Sequence, residues 1–288
     1  RLKKKSIQNI FTEKEQSTLS YLTAYGFSDE MIADFFKPFY SGIFLESKLE
    51  TSSRMFAFVF KMFGEGYAAV PKAGMEAIPK QLAENLKKTT FTFNTKVAAI
   101  KDGEITLDDK SSLKSDFTII ATDASQLHSG LKNQPTAWNA CHNLYFETER
   151  RVIQKPLIGL IPKEGTLINN IFYPTNLNTV AKQKKELLSV TVVDDQNLPT
   201  EKLIERVKQE LKELCGIVTG RLVKHYAIPQ ALPKLNDLHY EMQPSETRVT
   251  SSIFLAGDVQ LNASLNAAMI AGERAALGVI EAITKTKV

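Results

Sequence analysis

A mixed α/β chain is predicted, in which the pieces of one strand-and-helix unit alternate along the sequence with helices and an antiparallel sheet that make a second unit. Three observations carry this. A continuous apolar run, Ile253-Phe-Leu-Ala256, leads through Gly257-Asp258 into a long Ala-rich helical pattern. Short strand patterns with a hairpin signal fill the stretch from Phe91 to Thr122. Between Leu144 and Ser251 alternating stretches are interrupted by a single amphipathic helix. At 288 residues the chain is long enough for about two domains.

Taken in order, Ser17 to Phe63 has helical spacing and is rich in aromatics, with Phe56, Val59, Phe60 and Phe63 on one apolar face. After Gly74, Met75, Ile78, Leu82 and Leu86 predict another helix, and Pro79 is tolerable near its first turn. Strands are predicted at Phe91–Phe93, Val97–Ile100 and Ile105–Leu107. The last two are joined by Asp102-Gly103, a two-residue hairpin signal. A polar turn at Asp109–Ser112 precedes a buried strand, Phe117–Thr122. The antiparallel sheet takes Leu144–Phe146, Leu157–Ile161, Ile168–Tyr173 and Leu187–Val193. Thr200 is expected to cap a helix in which Leu203, Val207, Leu211 and Leu214 keep helical spacing. Tyr226–Pro233 carries two prolines and reads as an extended edge or loop, because proline cannot donate to a central ladder. Asn262 or Ser264 is the expected cap of the last helix, which runs toward Ile283.

Composition narrows the function classes. Hydrophobic residues make up 43% and charged residues 24%, so the chain is globular. Its 36 basic and 32 acidic residues are well mixed, and no basic stripe for nucleic acid stands out. Arg1-Leu-Lys-Lys-Lys5 has no apolar region after it, so no signal peptide is read there. The densest apolar run, Met55–Phe63, is broken by Lys61 and is far short of the ~20 residues of a membrane span. A cytoplasmic protein is expected, with peripheral membrane contact and oligomeric state left open. Cys141 and Cys215 lie far apart, and the four histidines, 128, 142, 225 and 239, lack metal-ligand spacing, so no metal is expected.

The chemistry concentrates where the apolar strand opens into the last helix. First-turn N–H groups and the positive end of the helix dipole converge there, a place for an anionic group. The order Ala-Gly257-Asp258, a short loop, Ser264-Leu265-Asn266, then Ala268-x-x-Ala-Gly-Glu-Arg-Ala-Ala276 closely resembles the C-terminal flavin-binding signature of the amine oxidase and phytoene desaturase group of flavoproteins, which includes protoporphyrinogen oxidase-like enzymes. Further stretches resemble the same group in the same order. They are Phe35–Leu45 with Glu50–Arg54 and Ala69–Met75, then Phe93–Val97 with Ile119–Thr122, then Tyr226–Pro233.

This resemblance implies an incomplete Rossmann-like FAD-binding domain interleaved with an α+β substrate domain. Residues 1–65 and 126–250 would be substrate domain, and 66–125 and 251–288 FAD-binding domain. The backbone of Val97 would lie against the adenine ring, and the carboxylate of Asp258, delivered by Gly257, on a cofactor hydroxyl. The amides around Ser264, Leu265 and Asn266 would lie near the flavin pyrimidine edge, where negative charge develops on reduction. Read without it, Val97 is a core residue and Gly-Asp after a strand a common turn. Two positions depart from the pattern: Ala267 stands where Gly is usual, and Ala73 replaces the first of a Gly pair.

The group opens with a strand–GxGxxG–helix unit that binds the pyrophosphate. The literal match here, Gly64-Glu-Gly-Tyr-Ala-Ala69, has helical spacing before it and Pro71 after it, the wrong context. The chain is therefore expected to be the C-terminal portion of a longer protein, lacking roughly a hundred leading residues. Intact, that protein would be an FAD-dependent oxidoreductase taking a hydride from an apolar or amine-bearing small molecule. The portion alone would be inactive and hold little FAD. A non-catalytic interaction module that keeps the fold without the cofactor is the alternative. No catalytic residue can be named, and some early aromatics are expected to line an apolar cavity.

Overall fold

The computed structural model describes residues 2–125, 127–128, 131, 137–177 and 185–286. Helices α1 (Ile7–Phe11), α2 (Thr18–Tyr25) and α3 (Asp29–Met31) come first. A π-helical turn at Ile32–Phe36 leads from α3 into α4 (Lys37–Phe44), followed by α5 (Ser53–Glu65) and α6 (Ala77–Glu84). Strands β1 (Val97–Lys101), β2 (Glu104–Leu107), β3 (Ser112–Lys114) and β4 (Thr118–Ile120) follow, then β5 (Trp138–Thr148), β6 (Gly159–Leu160), β7 (Ile168–Phe172) and β8 (Glu186–Val192). Helix α7 (Thr200–Cys215), strands β9 (Leu222–Pro233) and β10 (Ile253–Leu255), and helix α8 (Leu265–Thr286) come last. The elements group into two compact units. One comprises Arg1–Lys5, Glu13–Lys87 and Trp138–Leu232, the other Ser6–Thr12, Lys88–Ala137 and Pro233–Val288.

The first unit is built on a five-stranded sheet in the order β6-β7-β8-β5-β9. β5 pairs with β8 antiparallel from His142↔Val192 to Thr148↔Glu186, which puts Leu144, Phe146, Leu188 and Val190 on one face. Helix α7 covers that face with Leu203, Val207 and Leu211, all fully buried. Glu210, buried on the same helix, accepts from the amides of Leu167 (2.9 Å) and Ile168 (3.1 Å) at the start of β7 and pairs with Arg206. A carboxylate in that position satisfies backbone donors that no strand reaches. Helix α4 is tied to the sheet by Asn139 Nδ2 donating to Phe44 O (2.8 Å) and Asn169 Nδ2 to Pro38 O (3.0 Å). The early helices start at Ser17, Ser28 and Ser52, whose side chains accept first-turn amides. On α5, Phe56 is buried, whereas Phe60 and Phe63 remain 45% and 48% exposed, so the predicted apolar face is only partly covered.

The second unit holds an antiparallel sheet, β1-β2-β3, and a parallel pair, β10-β4. Asp102-Gly103 turns β1 into β2, with Gly103 at φ +79°. Ile253, Phe254 and Leu255 run parallel to Thr118, Ile119 and Ile120. Helix α8 lies against this pair, and Gly278 lets it approach closely. A Cβ there would come within 2.8 Å of Pro244 O and 3.0 Å of a Phe254 ring carbon.

Two sequence expectations are corrected. Phe91–Phe93 is not a strand, because Asn94 turns to φ +55° directly after it; Phe93 is 78% exposed, its ring parallel to that of Phe91. Thr200 does not cap α7. Pro199 holds the cap position with extended backbone and no side-chain bond, and Thr200 is already helical. The other predicted elements form, some with different bounds: the strand expected at Leu144–Phe146 extends over Trp138–Thr148, the one expected at Leu157–Ile161 keeps only Gly159–Leu160, β3 (Ser112–Lys114) follows the expected polar turn without having been predicted, and Tyr226–Pro233 lies in the edge strand β9. The expected boundary at 125/126 borders position 126, outside the described residues.

Candidate functional site

Strand β10 ends in a backbone conformation that only glycine adopts readily: Gly257 sits at φ 120°, ψ 161°. A Cβ there would meet nothing within 4 Å, so the requirement is conformational and space lies open beside the glycine. Asp258 follows, half-buried, at the head of a 3₁₀ turn, Asp258–Gln260. Its carbonyl accepts from Leu261 N (3.2 Å) and Ala263 N (3.0 Å). Among the described residues its carboxylate makes no hydrogen bond or ion pair.

Ala263, at φ +58°, swings the chain into α8. Of the two expected caps, Ser264 fills the role: its Oγ accepts from Ala267 N (3.1 Å) and donates to Asn262 Oδ1 (2.7 Å). Asn262 is the brace, its Nδ2 donating to His239 O at 2.8 Å. Leu265 and Asn266, the first residues of this 22-residue helix, are exposed, whereas Ala267 is fully buried. The sequence thus delivers a half-buried carboxylate and a capped helix N-terminus within one short segment.

Val97 lies at the start of β1, half-buried against the cluster of Ile100, Ile120, Ala124, Ile253 and Leu255. The strand bearing Val97 and the strand leading to Gly257 and Asp258 therefore share one core. A polar staple fixes them: the Asp102 carboxylate accepts from the Thr250 hydroxyl, from Ser252 N (3.2 Å) and from Ser252 Oγ (2.5 Å). Those bonds, the Ser252 hydroxyl first, hold Asp102 below the usual carboxylate range.

The GxGxxG lookalike starts inside a helix and not after a strand: α5 runs through Gly64 to Glu65, and Gly66 leaves it with extended backbone. Sequence reading missed a second polar constellation, in the first unit: His142 Nδ1 faces His225 Nε2 at 2.9 Å, and His142 Nε2 faces Asp195 Oδ2 at 3.3 Å. Only the β5–β9 pairing reveals it, and strand register between distant segments has no local signal. No group of three metal-ligating side chains that could hold a metal ion occurs among the described residues. The first unit also contains a cavity of about 410 Å³ walled by Tyr21, Tyr25, Phe27, Phe56 and Phe60, with the Lys5–Glu13 ion pair on its lining. Of the aromatic stretch from Phe35 to Phe63, only Phe56 and Phe60 take part.

A family model described as flavin containing amine oxidoreductase matches residues 3–280. The chain belongs to this family. Among solved structures it is similar to an oxidoreductase from Methanosarcina mazei, with TM-score 0.72 and 16% identity over 94% of this chain and 70% of that one. It is also similar to a protein assigned as a protoporphyrinogen oxidase from Exiguobacterium sp. 255-15 (TM-score 0.68, 16% identity, 94% of this chain and 68% of that one). A double mutant of putrescine oxidase, redesigned in its cofactor binding, aligns with TM-score 0.61 and 13% identity over 92% of this chain and 68% of that one. At such identities the likeness establishes the fold. No curated protein matches the chain. Mixed helices and antiparallel sheets of the flavin amine oxidoreductase fold, and an FAD-dependent oxidoreductase family, are thus established. Among the described residues no helix is long and apolar enough to cross a membrane.

Proposed function

We propose that the chain is the substrate-domain and C-terminal flavin-domain part of an FAD-dependent oxidoreductase, oxidising an apolar or amine-bearing small molecule. The observation that carries this reading is the family match over residues 3–280. The β10–Gly257–Asp258–α8 segment is consistent with it, since its donors and acceptors fit FAD. Asp258 offers a carboxylate with no competing partner among the described residues, and Gly257 has open space beside it. The N-terminus of α8 offers first-turn amides and the positive end of a long helix at exposed Leu265 and Asn266. FAD, when bound, supplies the hydride acceptor. Asp258 would accept a hydroxyl hydrogen bond from it, and the amides of Leu265 and Asn266 would favour negative charge at the flavin ring. The backbone of Val97 would border the adenine.

The parallel pair β4–β10 and exposed apolar residues in the second unit, Ile119 at 40% and Ile280 at 57%, support an interleaved Rossmann-like domain that further strands and helices would complete. On this reading the pyrophosphate-binding glycine unit lies outside the 288 residues, and the chain alone retains little FAD. A cytoplasmic location remains part of the proposal.

The test is FAD titration of the protein expressed with whatever its reading frame encodes upstream. Asp258→Ala removes a charge-assisted hydrogen bond of ~1.5–3 kcal/mol and is expected to weaken FAD by about one to two decades. Unchanged affinity would remove Asp258 from the site. A flavin-free wild type under the same conditions would favour a non-catalytic member of the family.

A further inference from the structure

We propose that Asp195, His142 and His225 form a proton-sharing latch that fastens the edge strand β9 to β5 and opens when the histidine pair takes up a second proton. The inference is independent of the flavin reading. It starts from the geometry of two rings on neighbouring strands, β5 and β9. Their facing nitrogens are 2.9 Å apart, their planes 8° apart and their centroids 5.1 Å apart. The centroid separation exceeds the nitrogen separation by about two ring radii, so the rings meet edge to edge in nearly one plane. That is an in-line N–H···N hydrogen bond.

Proton counting gives the consequence. With no net charge on the pair, His142 donates Nε2–H to Asp195 and accepts at Nδ1 from His225 Nε2–H. With one added proton, His142 donates from both nitrogens and His225 Nε2 accepts, so both bonds survive. A second proton places N–H against N–H, and the bond between the strands is lost. Asp195 supports the singly charged state because its carboxylate faces His142 from the turn after β8.

Among the described residues, no charged group besides Asp195 pairs with either ring to compensate the second proton. Val192 stands opposite His142 on β8, and on β5 itself the neighbours are Cys141, whose thiol is pushed up by burial, and Asn143. In the turn, Asp194 accepts Gln196 N at 3.0 Å. On β9, the Lys224 ammonium lies 5.3 Å from the Tyr226 ring centroid. Burial first, and then the charge of His142, hold His225 below the ordinary histidine value of 6.5. A depressed histidine contributes stability above its unfolded value, and that contribution is lost as pH falls through the folded one. The latch is therefore closed at neutral pH and opens on acidification. Strand β9 is pliable because it is an edge, carries Pro229 and Pro233, and is mostly exposed.

The experiment combines imidazole ¹⁵N NMR with amide hydrogen exchange on the whole chain between about pH 8 and pH 5, corrected for intrinsic exchange. The expected result is a coupled titration of His142 and His225 in two steps. Protection of β9 amides should fall by about tenfold across the window, the change one pKa unit represents, while β7 and β8 hold. In His225→Gln, β9 protection is expected to be flat with pH. Independent titration of the two rings, pH-insensitive β9 exchange in the wild type, or an unaltered pH response in His225→Gln would each overturn the latch. The wild-type NMR result decides alone if the variant does not fold.

Discussion

The two units are held together by different means. In the first, thirteen buried residues from the three strands β5, β7 and β8, α7 and the chain around them form one cluster, and Leu144, Phe146, Leu188, Val190 and Leu203 are fully buried. In the second, the described buried residues fall into clusters of at most five, and five of the eight in two of these clusters are alanines: Ala256, Ala267, Ala271, Ala275 and Ala282. What fixes the second unit is backbone shape and polar stapling: Gly257, the close approach at Gly278, the Ser264 cap and the Asp102 staple. Filling volume stabilises a scaffold, whereas fixing backbone and donors prepares a surface for something else to bind. A flavin-domain segment has reason to be of the second kind.

If that contrast is right, volume loss costs most in the first unit. Phe146→Ala is expected to cost about 3–5 kcal/mol, the range for deleting a buried phenylalanine. Trp138, the single tryptophan, begins β5 and so reports unfolding of this unit by fluorescence in urea. A cost below about 1 kcal/mol would mean the sheet–α7 core is loosely packed and the comparison fails.

Sequence alone made much of this readable, and unevenly. The hairpin at Asp102-Gly103, the edge character of Tyr226–Pro233 and the strand-to-helix segment at Gly257 were legible because each depends on local conformational chemistry. The cap was narrowed to two residues, and only geometry separated Ser264 from its brace Asn262. Phe91–Phe93 misled because aromatic alternation looks like a strand wherever it occurs, and β-propensity describes a half-buried surface rather than a backbone preference. The His142–His225 pair and the Glu210 amide contacts were illegible because both need tertiary neighbours far apart in sequence. Asp258 and Val97 were named from resemblance; the core shared by β1, which carries Val97, and β10, which leads to Asp258, is structural, and the cofactor role of both residues is a proposal.

In the second unit, smaller effects of a different origin are expected. Gly278→Ala gains helix propensity of about 1 kcal/mol but drives a methyl to 2.8 Å from the rigid Pro244 carbonyl. Overpacking of about 1–3 kcal/mol should win, seen as faster exchange in β10 and α8. Gly257→Ala meets no neighbour yet forces a side-chain residue to φ 120°, a cost of about 1–3 kcal/mol from strain alone. If Gly257→Ala were neutral, the segment after β10 would be free to relax, and backbone shape would not be what holds this unit.

The smallest expected effect tests the staple. Asp102 lies on the surface, its carboxylate held below the usual range by the Ser252 hydroxyl first and the Thr250 hydroxyl next. A depressed carboxylate contributes stability above its unfolded value, and the contribution disappears as pH falls through the folded one. Asp102→Asn keeps an acceptor oxygen but removes the charge, so the variant should differ from wild type at neutral pH and converge with it in acid. Because the group is solvated, global unfolding is an insensitive readout. Exchange of the Ser252 amide, which donates to Asp102 at 3.2 Å, is the direct one. Faster exchange in the variant at neutral pH, narrowing only in acid below the usual carboxylate range as the wild-type carboxylate protonates, would show that charge-assisted bonds hold the approach to β10. Equal exchange at every pH would leave the parallel strand ladder to hold it unaided, and the two units would then differ in core size alone.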